Sequence, residues 1–437
     1  MEENDCEYRR NTVKLNYKRT FFLGLGFMSI CAFWQLYDSI VPLILKNTFH
    51  INETITGGVM ALDNVLALFL LPIFGSFSDR IDTRIGRRMP FILFGTIISV
   101  SAMMLLPLAD QKSNLVLFIG GLFLVLLAMG TYRSPAVALM PDLTPKPLRS
   151  KANAVINLMG AVGGIITLGC IKAFVPGGEA PDYMFAFLAV AIIMVLSVGI
   201  LVLTIREKQY RMDTEFAASE ENQDEETESG DSKMPKEMKQ SLCFLLASVA
   251  LWFIAYNAVT SAFSRYAVEV WKLEGGKFAD CLLVATGASI VSYIPIGLLS
   301  SYLGRKKTIL MGIVLMSLSY FCGFIFKEYT PMINIVFAVT GIGWAAINVN
   351  SYPMVVEMSK GEDVGKYTGL YYSFSMSAQI ITPILSGICL QYISYRTLFP
   401  YAFVFSLASF TTMIFVKHGD TIPLKKQSVL EHFEVED

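Results

Sequence analysis

The sequence predicts an all-α membrane protein: twelve transmembrane helices in two pseudo-symmetric six-helix bundles. Three observations predict it. Hydrophobic residues fill 54% of the 437 positions and charged residues only 16%, whereas soluble domains are about a quarter charged; lipid-facing surface accounts for the shortfall. Twelve apolar runs of spanning length follow one another along the chain. The first six and the last six share two motifs in the same order.

A span needs roughly 20 apolar residues to cross about 30 Å of hydrocarbon. The first six runs lie near 20–45, 55–78, 90–109, 114–140, 150–175 and 183–205. The second six lie near 241–263, 278–301, 307–327, 331–357, 366–393 and 397–416. Each is read as a helix, because backbone polar groups in lipid must be satisfied within the segment, and barrel strands are only about 10 residues long. The first run follows Arg9, Arg10, Lys14, Lys18 and Arg19 and exceeds the apolar core of a cleavable leader, so it is expected to stay as an anchor. Pro42, Pro72, Pro135, Pro295, Pro353 and Pro383 fall inside spans, and Gly160, Gly163 and Gly164 cluster in the fifth. Such residues kink helices or let them approach closely.

Orientation follows from Lys and Arg near the span ends. Arg80, Arg84, Arg87, Arg88, Lys146, Arg149, Lys151, Arg305, Lys306, Lys307, Lys360 and Lys366 collect in one set of short loops. The other set has mostly single basic residues, except Arg265, Lys272 and Lys277 in the turn expected after the seventh span. Both termini are therefore expected in the cytoplasm of a multi-pass plasma-membrane protein. The expected divisions are a segment 1–19, a bundle 20–205, a linker 206–240, a bundle 241–417 and a tail 418–437. The linker contains EFAASEENQDEETESGDSK, too poor in apolar residues to order itself, and is read as a solvated tether.

The halves are related. RSPAVALMPDLTPKPLRSKANAVINLMG in the fourth and fifth spans lies over NVNSYPMVVEMSKGEDVGKYTGLYYSFSM in the tenth and eleventh. Asp142 then meets Glu357, Lys151 meets Lys366, Ala138 meets Pro353, and Arg133 meets Asn348. Gly75-Ser-Phe-Ser-Asp-Arg followed by Gly86-Arg87-Arg88 likewise echoes Gly297-Leu-Leu-Ser-Ser-Tyr followed by Gly304-Arg305-Lys306. Such a duplication places a solute site near the midplane, with the halves rocking around it.

With Asp79-Arg80 and Gly86-Arg87-Arg88 joining spans two and three, the chain resembles the major facilitator superfamily. The fuller string SDRIDTRIGRRMP resembles the sucrose/proton symporter branch, and FWQLYDS, YRSPAVALMPDLTP and WFIAYNAV resemble its bacterial members. The resemblance covers 20–417 and implies the major facilitator fold and carriage of a sugar with a cation. The gap between Asp79 and Gly86 is longer than the general superfamily loop. A similar string occurs in glycoside/cation symporters, which leaves proton and sodium both open as the coupling ion.

Asp79 is expected to approach the N-terminus of the eleventh helix near Lys366, where the dipole favours a carboxylate by about 0.3–1 kcal/mol, up to about 2 when partly buried. Arg80, Arg84, Arg87 and Arg88, on either side of Gly86, are expected to bridge to Asp142 and Glu357 and hold the cytoplasmic side shut; the alternative is that they only set topology. Ionisable residues inside spans are costly and mark function. Asp38, Asp63 and Arg133 stand out, and Arg133 sits about 13 Å in from Asp142 at 1.5 Å per residue. Burial favours a neutral carboxylic acid and a nearby guanidinium the ionised form. An aspartate that gains and loses Arg133 would thus release and take up a proton; Asp38 and Asp63 both qualify. A permanent ion pair that only fixes packing is the alternative. Gln35, Tyr37, Asn64, Arg133, Asn157, Tyr256, Asn257, Asn348, Asn350 and Gln379 supply the hydrogen-bonding groups and rings a sugar needs; the alternative for each is contact between helices.

The leading expectation is a proton-coupled carrier of a small polar solute, a disaccharide or glycoside. An exporter of drugs or metabolites and a membrane receptor or scaffold are the competing readings. With three histidines, seven scattered cysteines and a net charge of −1, no metal, cofactor, enzymatic constellation or nucleic-acid partner is expected. The partners expected are the solute, the cation and the lipid bilayer.

Overall fold

The computed structural model describes residues 15–144, 149–178, 181–210, 236–358 and 364–420. Among them stand twelve helices long and apolar enough to cross a membrane. These are α1 (Tyr17–Asn47), α2 (Glu53–Arg80), α3 (Met89–Gln111), α4 (Leu115–Asp142), α5 (Arg149–Phe174) and α6 (Met184–Thr204). The second half has α7 (Lys236–Glu269), α8 (Ala279–Leu303), α9 (Arg305–Ile325), α10 (Ile333–Glu357), α11 (Val364–Tyr392) and α12 (Leu398–Ile414). Starts are chemically marked. Asn16, Asn52 and Asn114 each accept a backbone N–H three residues on, capping α1, α2 and α4. Pro90 opens α3, where its missing N–H costs nothing.

The repeat is visible in packing. α1 packs on α5 and α6, α2 on α4, and α3 on α4 and α6. In the second half α7 packs on α11 and α12, α8 on α10, and α9 on α10 and α12. Every pairing has its counterpart. Between the halves, α2 runs along α11 and α5 along α8, again an exchange-symmetric pair. Around the perimeter large apolar side chains stay exposed, such as Val116 and Leu203, the reverse of a water-facing surface.

The described start and end of the chain share one face, here the terminal face. Arg19 Nη2 donates to Leu143 O at 2.6 Å at the end of α4, and Asp420 accepts from Lys306 N at 3.0 Å at the start of α9. The other face is the distal face. Several hydrogen bonds and ion pairs join the halves there: Glu53 with Arg265 and Tyr395, Lys46 with Glu269, Lys172 with Asp280, Thr54 N with Gln391, and Gly276 N with Val175 O. Gly57 permits the closest approach, since a Cβ there would lie 2.1 Å from Pro383 O. The molecule is therefore closed at the distal face.

Two expectations change. α7 begins at Lys236 and ends at Glu269, so Arg265 belongs to the helix and is 2% exposed; Glu53 neutralises it there, which hydropathy cannot register. The segment after α6 is not solvated from residue 206 onward. Glu207 is buried, and Arg19 stands 5.0 Å from the Tyr210 ring. The acidic stretch 211–235, the N-terminal segment 1–14 and the tail beyond 420 lie outside the described residues.

Candidate functional site

Helical spacing builds the central site. Trp34 and Asp38 are one turn apart on α1, and Met60 stands one turn from Asp63 and Asn64 on α2. Asn257 does the same with Thr260 and Ser261 on α7, and Gln379 with Pro383 on α11. With Arg133 of α4, these eleven side chains line a cavity of about 230 Å³ drawn from both halves. Arg133 stacks its guanidinium 5.5 Å from the Trp34 ring centre, a cation–π contact. Asp63 accepts from Asn64 Nδ2 at 2.7 Å. Among the described residues no carboxylate reaches Arg133 within 4.0 Å, so Asp38, Asp63 and Arg133 share one cavity without forming a closed ion pair.

The cavity also holds donors without acceptors. Trp34 Nε1 and Asn257 Nδ2 are buried and unpartnered among the described residues. A buried donor left unmade costs about 1–3 kcal/mol, which a hydroxylated ligand would recover. Two carboxylates as acceptors, three kinds of donor and one aromatic face thus converge on one space. A second cavity of about 320 Å³ lies at the distal face, lined by Val175, Gly178, Pro181 and Tyr183 on one side and by Val268 and Lys272 on the other. It is mostly apolar and holds none of the intramembrane charges.

Of the residues expected at the site, Asp38, Asp63, Asn64, Arg133, Asn257 and Gln379 line the cavity. The others do not. Gln35 donates to Ser39 Oγ at 3.1 Å beside α5, and buried Tyr37 donates to Val59 O at 3.4 Å. Tyr256 stacks on Trp344 at 3.7 Å, and buried Asn350 donates to Ala346 O at 2.9 Å. Asn157 and Asn348 are exposed away from the lining. One residue step turns a helix by about 100°, so Trp34 reaches the cavity where Gln35 does not. Trp34, Met60, Thr260, Ser261 and Pro383 were missed, although each lies one turn from an expected residue.

The terminal-face charges form two separate clusters. Arg88 pairs with Asp79 and Ser78, donates to Gly75 O at 3.2 Å and to Asp142 through Nε at 2.9 Å. Arg305 pairs with Glu357 in the other half. Among the described residues, the ion pair of Glu357 is this one within its own half, not the expected one with the α2–α3 loop. The tight turn from Thr83 to Gly86 folds Arg88 back onto α2 instead. Asp79 meets Arg88; the Lys366 side chain lies outside the described residues. Arg80 and Arg84 are exposed. Glu207 was unforeseen: it accepts from Arg87 N at 2.7 Å and from Arg88 N and Met89 N at 2.9 Å. Gly86, at φ 128°, makes room, because a Cβ there would stand 2.1 Å from Glu207 Oε2. Gly304, at φ 88°, repeats the device beneath Asp420.

The sequence profile of the Major Facilitator Superfamily matches residues 23–292 and 281–434. The chain belongs to this superfamily. It is thus a multi-pass membrane transporter and not an enzyme. Among curated superfamily and transport proteins, sucrose transport protein SUC3 of Arabidopsis thaliana is 32% identical over 30% of this chain and 25% of that protein. Sucrose transport protein SUC4 of the same plant is 32% identical over 23% of this chain and 22% of that protein. The chain thus matches about a quarter of the length of these relatives. Chloramphenicol resistance protein CraA of Acinetobacter baumannii is 27% identical over 25% of this chain and 26% of that protein. Among solved superfamily structures, the xylose transporter XylE from E. coli, in an inward open conformation, aligns at TM-score 0.66 and 13% identity, covering 96% of this chain and 98% of that one. At that identity the likeness establishes the fold.

Proposed function

We propose that this superfamily member is a secondary active transporter of a sugar, a disaccharide or glycoside, coupled to protons by alternating access. The observation that carries the reading is the cavity between the halves, where Asp38, Asp63 and Arg133 meet Trp34 and the unpartnered donors of Trp34 and Asn257. Hydroxyls recover those hydrogen bonds, and the apolar face of a sugar ring covers the indole. An aspartate that approaches Arg133 in one state and leaves it in the other exchanges a proton with each half-cycle. The sucrose transport relatives support the sugar class. The basic loops support a reading in which the terminal face lies in the cytoplasm of a plasma-membrane protein, with the closed distal face outside and the solute released inward. Arg88 with Asp79 and Asp142, and Arg305 with Glu357, then act as two latches, each bracing its own half.

The test is uptake of labelled sucrose, maltose and monosaccharides into proteoliposomes, with and without an imposed inward proton gradient. Accumulation of a sugar that collapses with a protonophore is expected. Uptake of none, or uptake indifferent to the proton gradient and driven by sodium, would overturn the substrate or the coupling ion respectively.

A further inference from the structure

At the distal face the two halves meet through a five-residue charged cluster. Lys46 ends α1 and Glu53 begins α2 in the first half; Arg265 and Glu269 end α7 and Tyr395 precedes α12 in the second. Glu53 Oε2 receives Arg265 Nη1 at 2.7 Å, and both side chains are nearly inaccessible, at 6% and 2%. Lys46 Nζ stands 2.5 Å from Glu269 and 4.1 Å from the Tyr395 ring centre. Tyr395 donates its hydroxyl to Glu53. Both ion pairs cross between the halves.

The same four charges can pair in a second way. Lys46 Nζ is already 3.9 Å from Glu53 Oε1 within the first half. Arg265 and Glu269 are four residues apart on α7, the spacing at which helical side chains meet. Arg265 Nε is buried without an acceptor among the described residues, so a donor stands ready for a second carboxylate. Each half contributes one cation and one anion. If the halves part, no charge need be left alone.

We propose that this cluster is a partner-exchange gate. Closed, it pairs Glu53 with Arg265 and Lys46 with Glu269 across the halves. Open, it pairs Lys46 with Glu53 and Arg265 with Glu269 within them. Stranding one member of a buried pair is strongly unfavourable; exchange avoids that cost in both states and leaves the two nearly balanced. A plain latch would have only the cross pairs.

The two differ in which residues matter. Under exchange, every single neutralisation removes one pair from each state, and the burial of the stranded partner decides the outcome. Glu53→Gln strands Arg265, at 2% exposure, in the closed state, whereas Lys46→Gln strands Glu269, at 35%. The inference rests on the alternating-access reading only in needing two states, and a distance measurement without solute keeps its failure separate from a wrong substrate. Nitroxides at exposed Lys112 and Glu328, in a full-length background with the native cysteines replaced and an unchanged melting curve, report distal opening by pulsed EPR. Glu53→Gln is expected to raise the open-to-closed ratio roughly tenfold or more. Lys46→Gln and Glu269→Gln are expected to change it by less than about threefold. The Glu53→Gln/Arg265→Gln double variant is expected to return near wild type, and it serves alone if Glu53→Gln does not fold. Opening by Lys46→Gln or Glu269→Gln as large as that by Glu53→Gln, or a double variant fixed open, would overturn the exchange.

Discussion

At the residue scale, the cavity assigns different work to neighbouring groups. Trp34 holds Arg133 by its ring and keeps a buried Nε1 without a partner among the described residues. Trp34→Ala removes a stacking face and a donor; for a sugar carrier, a roughly tenfold or greater rise in KM for uptake with little change in membrane expression is expected from interactions of about 1–2 kcal/mol each. Equal KM in the variant would remove Trp34 from the binding surface. Asp38→Asn and Asp63→Asn separate the coupling candidates. The coupling aspartate, once amidated, is expected to support equilibration of solute but no accumulation against a gradient, measured as counterflow against gradient-driven uptake. Retention of accumulation in both would end the aspartate scheme. Sequence alone marked both aspartates and Arg133 because charge inside an apolar run is conspicuous. It could not tell Trp34 from Gln35, because one step along a helix turns the side chain out of the cavity and only the packed bundle fixes the zero of that rotation.

At the element scale, two loops show how a helix end is set. Glu207 receives the N–H groups that open α3, which an α-helix cannot satisfy internally. Asp420 does the same for α9. Both need a glycine in a backbone region other residues avoid at a cost of about 1–3 kcal/mol, with the carboxylate where a Cβ would lie. Gly86→Ala is expected to lower the melting temperature of the purified protein by several degrees, and Glu207→Gln to do so by less, since an amide oxygen still accepts. An unchanged melting curve for Gly86→Ala would contradict the packing. The glycine-arginine motif was legible as a turn, and the twelve spans were placed to within a few residues except at α7. Glu207 and Arg265 were not legible. Each is a charge that hydropathy assigns to water, buried because a partner far along the chain, Arg88 N or Glu53, neutralises or satisfies it.

At the scale of the whole molecule, the sequence repeat becomes a repeat of packing pairs, with α2–α11 and α5–α8 as the two most extensive seams between the halves. Closure of the distal seam depends on the absence of a side chain at Gly57, whose Cβ would meet Pro383 O at 2.1 Å. Gly57→Ala is expected to hold the distal face apart and cut uptake by at least about tenfold while the protein still reaches the membrane. Normal uptake would show that the seam opens by another route. The central claim is that one cavity is reached from one side at a time. Thr54 N and the Gln391 side chain lie 3.1 Å apart across the distal seam, and Thr260 lines the cavity. A bismaleimide link between Thr54→Cys and Gln391→Cys, with Thr260→Cys as the only other thiol, tests this in oriented vesicles. The account predicts that Thr260→Cys reacts with an impermeant thiol reagent from both faces before linking and from the terminal face alone afterwards. Reaction from the distal face through an intact link, or from neither face at any time, would contradict it.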